Sequence, residues 1–459
     1  MFALTVVLVQ MFAPLKQFIL HSITIKEIKG CTPWCSFFFV LRCSSEFNII
    51  LYRLERYWKK SILDSHLRNT TMIKKPIDRR AFIKNATMAA TAVAFSGNFS
   101  SEILKPASAK NKLPRWKGFN LLDYFTPTPG RNFEAIRTTE EDFKWMTDWG
   151  FDFVRLPMAY PRYLDPARGE KITKDDFYKF DTKVLEEIDQ LIFLAHKYDL
   201  HVSLNLHRAP GYCINAGFFE PFNLWKDKEA QDAFYFHWGM WAERYKNVSS
   251  AKISFDLLNE PAFREDLNDQ FSKSSTVPGE LYRMVAEGAA KAIRAANPDH
   301  LIIADGNNVG NNVIPELFDL NMGQSCRGYF PHYISHYQAP WVFKDPSKAP
   351  TTVWPGTIEG KYYGRVQLEE YYRQWIGLID QGIGVHCGEC GCWKKTPHDI
   401  FLGWFGDVLD ILTNSGIGYA LWNFRGDFGI VDSGRTDINY ADWYGHKLDT
   451  GLLDLLKKY

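Results

Sequence analysis

The sequence lacks an excess of charge of either sign: its 459 residues include 54 lysines and arginines against 53 aspartates and glutamates. Without a positive field the chain has nothing to attract nucleic acid, so that class of partner is disfavoured and a neutral polymer fits better. Internal repeats and low-complexity linkers are also missing, which argues against a repeat array. Hydrophobic residues, at 46%, and aromatic residues, at 15%, are ample for a large core.

Cysteine is infrequent, and its spacing does not fit a metal site. Of eight cysteines, five lie beyond residue 110: Cys213, Cys326, Cys387, Cys390 and Cys392. An odd number leaves at least one thiol unpaired unless chains are crosslinked. The last three surround Glu389 without a second ligand pair at the spacing of a zinc site, so we interpret them as buried thiols. The sequence therefore predicts neither a metal nor a cofactor.

Short apolar strands alternate with amphipathic helical stretches along residues 110–459, a pattern typical of a parallel sheet covered by helices. The eight strand candidates are Gly118–Leu122, Phe153–Leu156, His201–Asn205, Ile253–Leu257, Leu301–Ala304, Gly328–His332 or slightly later, Gly384–Cys387 and Gly418–Leu421. We therefore predict a single-domain (β/α)8 TIM barrel of the α/β class. Residues 333–364 are predicted to form an active-site loop. Four tryptophans in predicted loops are candidates to line the outer part of a substrate groove: Trp225, Trp341, Trp354 and Trp393.

Two of the predicted strands end in a glutamate. Glu260 lies in the segment Phe255–Pro261 and Glu389 in the segment Ile383–Gly391, each after a short apolar run. A glutamate in such a place is more often a surface or capping residue, but the Asn-Glu-Pro triplet puts an amide beside the acid and then stops the strand. Because all strands of a (β/α)8 barrel end at one face, the fold brings two distant glutamates together. Paired carboxyl groups there predict a glycosidase.

Further motifs follow one another in a recognisable order. They are Phe151–Pro157, which contains Arg155; Leu204–Gly211, which contains His207; Asn259-Glu260-Pro261; Gly388-Glu389; and Tyr419–Phe424, which contains Trp422. From about Trp116 to the end, the chain thus resembles glycoside hydrolase family 5, the cellulase family. The resemblance implies a retaining enzyme that cleaves a β-linked glucan by double displacement with two glutamates. A cellulase-like endo-β-1,4-glucanase is the leading prediction.

By the resemblance, Glu260 is the acid/base and Glu389 the nucleophile. Arg155 is the candidate to keep Glu389 anionic, because a nearby guanidinium favours the charged carboxylate. Asn259 is implied to hydrogen-bond the sugar 2-hydroxyl, and His207 to help hold the sugar at the point of cleavage. The alternatives are an asparagine that only closes its strand and a histidine that is satisfied in the core.

Tyr337 resembles the family tyrosine that hydrogen-bonds the nucleophile, but its surroundings depart from a common His-x-Tyr arrangement. Ser335 lies two residues before it, and His336 is adjacent. His336 is therefore predicted to bind substrate, with His332 as the alternative. Trp422 is implied to form the stacking floor under the reacting sugar, because a β-linked pyranose presents an apolar face to a ring. A core tryptophan is the competing interpretation.

The segment before the barrel resembles an export signal. Pro76–Lys84 is similar to a twin-arginine motif, the weakly apolar run Ala86–Gly97 follows it, and Ala107–Ala109 offers a small-residue cleavage site. We therefore predict export of a folded enzyme to the periplasm or to the outside of a bacterial cell. The alternative is a basic linker before a short helix.

Such a signal normally stands at the N-terminus, which makes Met72 the predicted start of translation. On this hypothesis residues 1–71 are a non-native upstream segment, residues 72–109 the signal peptide and residues 110–459 the catalytic barrel. No apolar run in residues 1–71 reaches the roughly 18 residues of a membrane span. A genuine N-terminal anchor is the alternative.

The predicted partner is a β-linked oligo- or polysaccharide; no nucleic acid and no membrane is expected for the mature form, which is predicted to be a monomer. A β-mannanase or an exo-β-glucosidase is the first alternative, because fold and catalytic pair do not set sugar or linkage. A non-catalytic carbohydrate-binding barrel is less well supported, since a binder does not need both glutamates. A metal-dependent hydrolase using His207, His332 and His336 is disfavoured because the first strand lacks a His-x-His pair.

Overall fold

The computed structural model describes residues 110–128, 137–214 and 219–459. It also describes two short antiparallel strands, Leu8–Val9 and Leu20–His21, within the unit Met1–Glu102. The start at Met72, the twin-arginine motif and the cleavage site lie outside the described residues, so the expected domain boundaries stay predictions. All other elements belong to the unit Ile103–Tyr459.

Eight parallel strands form the centre of this unit. They are β1 (Lys117–Asn120), β2 (Phe153–Ala159), β3 (His201–Ala209), β4 (Ile253–Asp256), β5 (Leu301–Asp305), β6 (Gly323–Gly328), β7 (Val385–Cys390) and β8 (Gly418–Leu421). Each strand pairs with the next one along the chain, and β8 pairs with β1. The sheet is thereby closed, and the prediction of a (β/α)8 TIM barrel is confirmed.

Helices cover the outside of the barrel. They are α1 (Glu140–Asp148), α2 (Thr182–Lys197), α3 (Lys228–Arg244), α4 (Gly279–Ala296), α5 (Arg365–Asp380), α6 (His398–Asn414) and α7 (Thr450–Lys458). Thr139 begins α1 through a capping box with Asp142, and Asp449 begins α7 by accepting a hydrogen bond from the Leu452 amide at 2.9 Å. Between β5 and β6 the connection carries the 3-10 helix Pro315–Leu320 in place of a long helix.

Smaller elements decorate the loops. Short hairpins pair Phe263–Arg264 with Ser274–Ser275, Gly356–Ile358 with Lys361–Tyr363 and Ala441–Trp443 with His446–Leu448, and Tyr212–Cys213 folds back on β3. The remaining short helical segments are Tyr160–Tyr163, Asp176–Tyr178, Asn307–Gly310, His332–Ser335 and Pro346–Lys348. Within the described parts of the chain, no helix combines the length and hydrophobicity needed to span a bilayer.

The predicted position of the sixth strand is wrong. The sequence favours Gly328–His332, whereas β6 is Gly323–Gly328 and is buried throughout. Its residues are small or polar, so it shows no apolar run, and it faces a polar cluster instead of an apolar core. Pro331 cannot donate to a strand ladder, and the chain turns there into the helical segment His332–Ser335. The error shifts attention away from the polar residues that β6 carries.

The two ends of the barrel interior differ in chemistry. At the amino end of the strands, the Trp116 ring stacks on His201 at 3.9 Å between centroids and lies 5.4 Å from Phe153. Burial lowers the pKa of His201 to about 4, so its ring is neutral at physiological pH. Toward the carboxyl end, the interior instead holds buried arginine and carboxyl side chains, including Arg155 and Arg327. This is the end at which barrel enzymes carry their active sites.

Candidate active site

A cavity of about 430 Å³ opens at the carboxyl end of the barrel. Of the predicted site residues, five line it: His207, Glu260, His336, Glu389 and Trp422. Arg155 and Asn259 lie beneath it, with 1% and 0% of their surface exposed. The barrel therefore brings together seven of the eight predicted site residues.

Glu389, on β7, is surrounded by donors. Its Oε1 accepts hydrogen bonds from Arg155 Nη1 at 2.6 Å and lies 3.4 Å from Arg327 Nη2. Its Oε2 accepts from the Tyr329 hydroxyl at 3.1 Å. The pKa of Tyr329 lies well above its usual value, mainly because the hydroxyl is buried and secondly because of the charge of Glu389. The hydroxyl therefore keeps the proton that it donates. Two guanidinium groups and a phenol thus surround this one carboxyl group.

Glu260 follows β4 in a backbone conformation that is unusual for a side-chain-bearing residue, with φ of +49°. Two hydrogen bonds hold it there: its amide donates to Asp305 Oδ2 at 3.0 Å, and its carbonyl accepts from the Tyr212 hydroxyl at 2.7 Å. The side chain has one partner among the described residues, because Oε1 accepts from Arg327 Nε at 2.9 Å. From this position Glu260 lines the cavity.

The pKa of Glu260 is raised to about 7. Burial is the main cause, and the negative charge of Glu389 adds to it, while Arg327 opposes the shift. Glu260 therefore holds a proton near neutral pH, whereas Glu389 is surrounded by two guanidinium groups and a phenol. Two carboxyl groups whose environments differ in this way are suited to act as acid and nucleophile.

Beneath the glutamates lies a buried ionic cluster. Arg155 donates from Nε to Asp256 Oδ2 at 2.7 Å and from Nη2 to Asn259 Oδ1 at 2.9 Å. Arg327 donates from Nη2 to the same Asn259 oxygen at 2.9 Å and binds both oxygens of Asp305. Because two guanidinium groups occupy the amide oxygen of Asn259, its NH2 group is left as a donor. Each arginine thus has an aspartate counter-ion that keeps it in place.

His207 and Trp422 form one wall of the cavity. Their rings stack at 5.4 Å between centroids with an interplanar angle of 22°, and Phe125 meets both rings edge-on. His207 Nε2 lies 3.4 Å from the Asn259 amide nitrogen. The pKa of His207 lies well below its usual value, mainly because the ring is buried and secondly because Arg155 is positively charged. The ring is therefore neutral. Trp422 is half-buried in the cavity and is not a core residue.

His336 and His332 also line the cavity. His336 packs edge-on against Tyr329, with 4.8 Å between centroids, and lies 5.2 Å from the His332 ring. Of the loop tryptophans, Trp341 and Trp393 also line the cavity and pack edge to face at 4.7 Å. The other two do not line the cavity. Trp225 is packed in the core, and Trp354 donates a hydrogen bond to Asp407.

Among the described residues, Tyr337 makes no hydrogen bond to Glu389. Its hydroxyl accepts a hydrogen bond from Gln338 at 3.2 Å, and it is not among the residues that line the cavity. The tyrosine bonded to Glu389 is Tyr329. The spacing signal was present in the sequence: Arg327 stands two residues before Tyr329, which gives Arg-x-Tyr where the resemblance expects His-x-Tyr. Because the sixth strand was predicted at Gly328–His332, this motif was overlooked.

Sequence reasoning missed four residues of the site, although two of them, Asp256 and Asp305, end short buried strands and so resemble the two glutamates in position. Asp256 and Asp305 end β4 and β5, Arg327 lies in β6, and Tyr329 follows it. Among the described residues, no group of three or more histidines, cysteines, aspartates or glutamates is arranged to hold a metal ion. The five cysteines in the described region are buried free thiols.

A closed (β/α)8 barrel with two carboxyl groups in one cavity at the carboxyl end of its strands is the arrangement of a barrel glycosidase. Comparison with known proteins gives the family. The family described as Cellulase (glycosyl hydrolase family 5) matches residues 108–427, most of the chain, and the protein belongs to this family. It is therefore an O-glycosyl hydrolase of the cellulase type.

Individual relatives agree with this assignment. Endoglucanase C of Acetivibrio thermocellus is 27% identical over 327 residues, which cover 66% of this chain and 88% of the relative. Cellodextrinase A of Ruminococcus flavefaciens is 26% identical over 290 residues, covering 61% and 76%. A solved structure described as a glycoside hydrolase is 38% identical, covers 75% of this chain and 99% of its own, and has a TM-score of 0.66.

Proposed function

We propose that the protein hydrolyses a β-linked glucan with retention of configuration, with Glu389 as nucleophile and Glu260 as acid/base. The observation that carries this proposal is the shared contact with Arg327, whose guanidinium lies 2.9 Å from Glu260 Oε1 and 3.4 Å from Glu389 Oε1. One planar group that touches both carboxyl groups favours the close spacing of a retaining pair over the wider spacing that an inverting enzyme needs for its water.

In the first step, the Glu389 carboxylate attacks the anomeric carbon while Glu260 gives its proton to the glycosidic oxygen. The bond to the leaving sugar breaks, and an ester to Glu389 forms. Asn259 supports this step: two guanidinium groups occupy its oxygen, so its NH2 group, one side of which lies 3.4 Å from His207 Nε2, is its donor toward a sugar hydroxyl. A hydrogen bond at the 2-hydroxyl strengthens as positive charge develops on the ring.

In the second step, Glu260, now a carboxylate, takes a proton from water as the water oxygen attacks the same carbon. The ester bond breaks, Glu389 leaves as a carboxylate, and Glu260 is protonated again. Arg155 and Tyr329 support Glu389 as a leaving group, because both donate to its oxygens. The two inversions together retain the configuration.

For the substrate, we propose β-1,4-glucan cut at internal bonds. This version is supported by the endoglucanases among the relatives and by two aromatic walls, one around Trp422 and one around Trp341 and Trp393. Sugar faces stack on such rings. A mannan or a small β-glucoside would use the same two glutamates and differ in its contacts with these walls.

Reducing-sugar release from a substrate panel tests the proposal. The full chain is incubated with carboxymethyl cellulose, mixed-linkage glucan, laminarin, mannan and xylan, with Glu389→Gln in parallel. Release from the β-1,4-linked glucans, absent in the variant, is the expected result. Release from mannan alone would replace the substrate assignment, and equal release by the variant would remove the nucleophile assignment. The anomer formed first, followed by NMR, reports retention or inversion.

We also propose that the enzyme is exported through the twin-arginine motif, on the support of the sequence of Pro76–Lys84. The change Arg79→Lys together with Arg80→Lys should leave activity in the cytoplasmic fraction of a bacterial host, while the unchanged chain moves to the periplasm. Mass spectrometry of the precursor and the mature form identifies the start and the cleavage site. A precursor peptide from residues 1–71 would contradict the start at Met72.

A further inference from the structure

Arg327 contacts Glu260, the proposed acid, through a nitrogen atom that can only donate a hydrogen bond. Its Nε hydrogen points to Glu260 Oε1 at 2.9 Å, and an arginine has no acceptor and does not lose its charge in proteins. A protonated carboxyl group carries its hydrogen on one of two oxygens. With the Nε hydrogen of Arg327 on Oε1, a proton placed on the same oxygen would face another hydrogen. The proton is therefore directed to Oε2.

Oε2 is the oxygen available to a ligand. Among the described residues no group hydrogen-bonds to it, and the Glu260 side chain, with 13% of its surface exposed, lines the cavity. We propose that Arg327 is a positioning residue that fixes the transferable proton of Glu260 on Oε2, and that Asp305 holds Arg327 in the orientation this requires. The inference rests on the proposed acid role of Glu260 and adds how its proton is aimed.

Asp305 fits the second half of this proposal. Its carboxylate binds Arg327 through both oxygens, with Nη1 to Oδ1 at 3.0 Å, and the same carboxylate accepts the Glu260 amide at 3.0 Å. It is fully buried at the end of β5, and its own carbonyl accepts from the Tyr282 hydroxyl at 2.8 Å. The Asp305 carboxylate thus fixes both the backbone of Glu260 and the arginine, Arg327, that contacts the Glu260 side chain.

Arg155 provides the matched contrast. It is as deeply buried as Arg327, contacts Asn259 and Asp305 as well, and donates to Glu389 at 2.6 Å. Among the described residues, Arg155 forms no hydrogen bond with Glu260. Loss of Arg155 removes support for the nucleophile, whereas loss of Arg327 also removes the donor that aims the acid.

Aryl β-cellobiosides with different leaving groups separate these two effects. A dinitrophenolate departs without a proton, whereas phenol needs one, so only the second substrate depends on the acid. The measurement is kcat/KM, which reports the first bond cleavage, for the full chain and for Arg327→Gln and Arg155→Gln. Because general acids contribute about 10²- to 10⁴-fold, we expect Arg327→Gln to lose about 100-fold more on the phenyl than on the dinitrophenyl substrate. Arg155→Gln should lose equally on both.

Three further variants make the result interpretable. Arg365→Gln makes the same change on the outer surface, where Arg365 pairs with Asp407 and Asp410, and should leave both substrates unaffected. If Arg327→Gln does not fold, as judged by circular dichroism, Asp305→Asn replaces it and should show the same dependence on the leaving group. Glu389→Gln checks the underlying reaction and should be inactive on both substrates.

The outcomes are distinct. A dependence on the leaving group in Arg327→Gln or Asp305→Asn, with none in Arg155→Gln, supports the aiming of the proton by Arg327. An equal loss on every leaving group, with Glu389→Gln inactive, overturns this inference and leaves the proposed function intact. Full activity of Glu389→Gln overturns the proposed function itself.

Discussion

The ends of β4 and β7 present the same side chain to one cavity in two different settings. Glu389 on β7 accepts hydrogen bonds or ionic contacts from two arginines and a tyrosine, whereas Glu260 after β4 has a single arginine on one oxygen. Both side chains are mostly buried, with 13% of Glu260 and 5% of Glu389 exposed. The two settings differ in the number of donors around each carboxyl group, three for Glu389 and one for Glu260. We propose that this difference between their neighbours makes Glu260 the acid and Glu389 the nucleophile.

The largest test of this difference is Glu389→Gln. Glutamine keeps the shape but cannot attack the anomeric carbon, so we expect kcat on the preferred glucan to fall by roughly 10⁴-fold or more, as when other covalent nucleophiles are removed. Substrate binding, measured by calorimetry, should remain. Glu369→Gln, on the outer surface where Glu369 pairs with Arg365, is the matched control. Unchanged hydrolysis by Glu389→Gln would show that the nucleophile lies elsewhere.

Glu260→Gln should behave differently on different substrates. On glucan, whose leaving sugar needs a proton, the loss should reach about 10²- to 10⁴-fold, while a dinitrophenyl glycoside should still form the glycosyl-enzyme readily. Its breakdown then lacks a base, so added azide, which attacks without giving up a proton, should restore turnover and yield a β-glycosyl azide. Equal inactivity on both substrates, without rescue by azide, would contradict the acid/base assignment.

The pH profile tests the same comparison in the unmodified enzyme. The pKa of Glu260 is raised to about 7, and an acid works only while protonated, so kcat/KM should fall as the pH rises through about 7, approaching tenfold per pH unit. Asp256 has a pKa of about 7 too, because burial and Asp305 raise it against the pull of Arg155. Asp256→Asn separates the two groups. If this variant abolishes the basic limb, the limb belongs to Asp256 and not to Glu260.

The sequence predicted the barrel and the two glutamates because each depends on local patterns. Seven strands show short apolar runs, and the Asn-Glu-Pro triplet marks one strand end. The sixth strand was misplaced because its buried residues, Gly323–Gly328, are small or polar and satisfy partners on other strands. Arg327 lies in this strand and escaped for the same reason, whereas Asp305 was missed although it directly follows the apolar run Leu301–Ala304. Their partners are set by the closure of the barrel, and no spacing in the sequence encodes a contact across it.

Tyr329 and Tyr337 provide the test with the smallest expected effect on turnover. Tyr329→Phe removes one donor from Glu389 Oε2, and since a hydrogen bond to a charged group contributes about 1.5–3 kcal/mol, we expect kcat/KM to fall by about 10- to 100-fold. Tyr337→Phe, the change suggested by the sequence, should have no effect on turnover, because that hydroxyl bonds only Gln338 among the described residues. The loss in Tyr329→Phe should be the same for phenyl and dinitrophenyl glycosides, since Tyr329 acts on the nucleophile and not on the acid. A loss confined to Tyr337→Phe would instead mean that the loop after β6 rearranges when substrate binds.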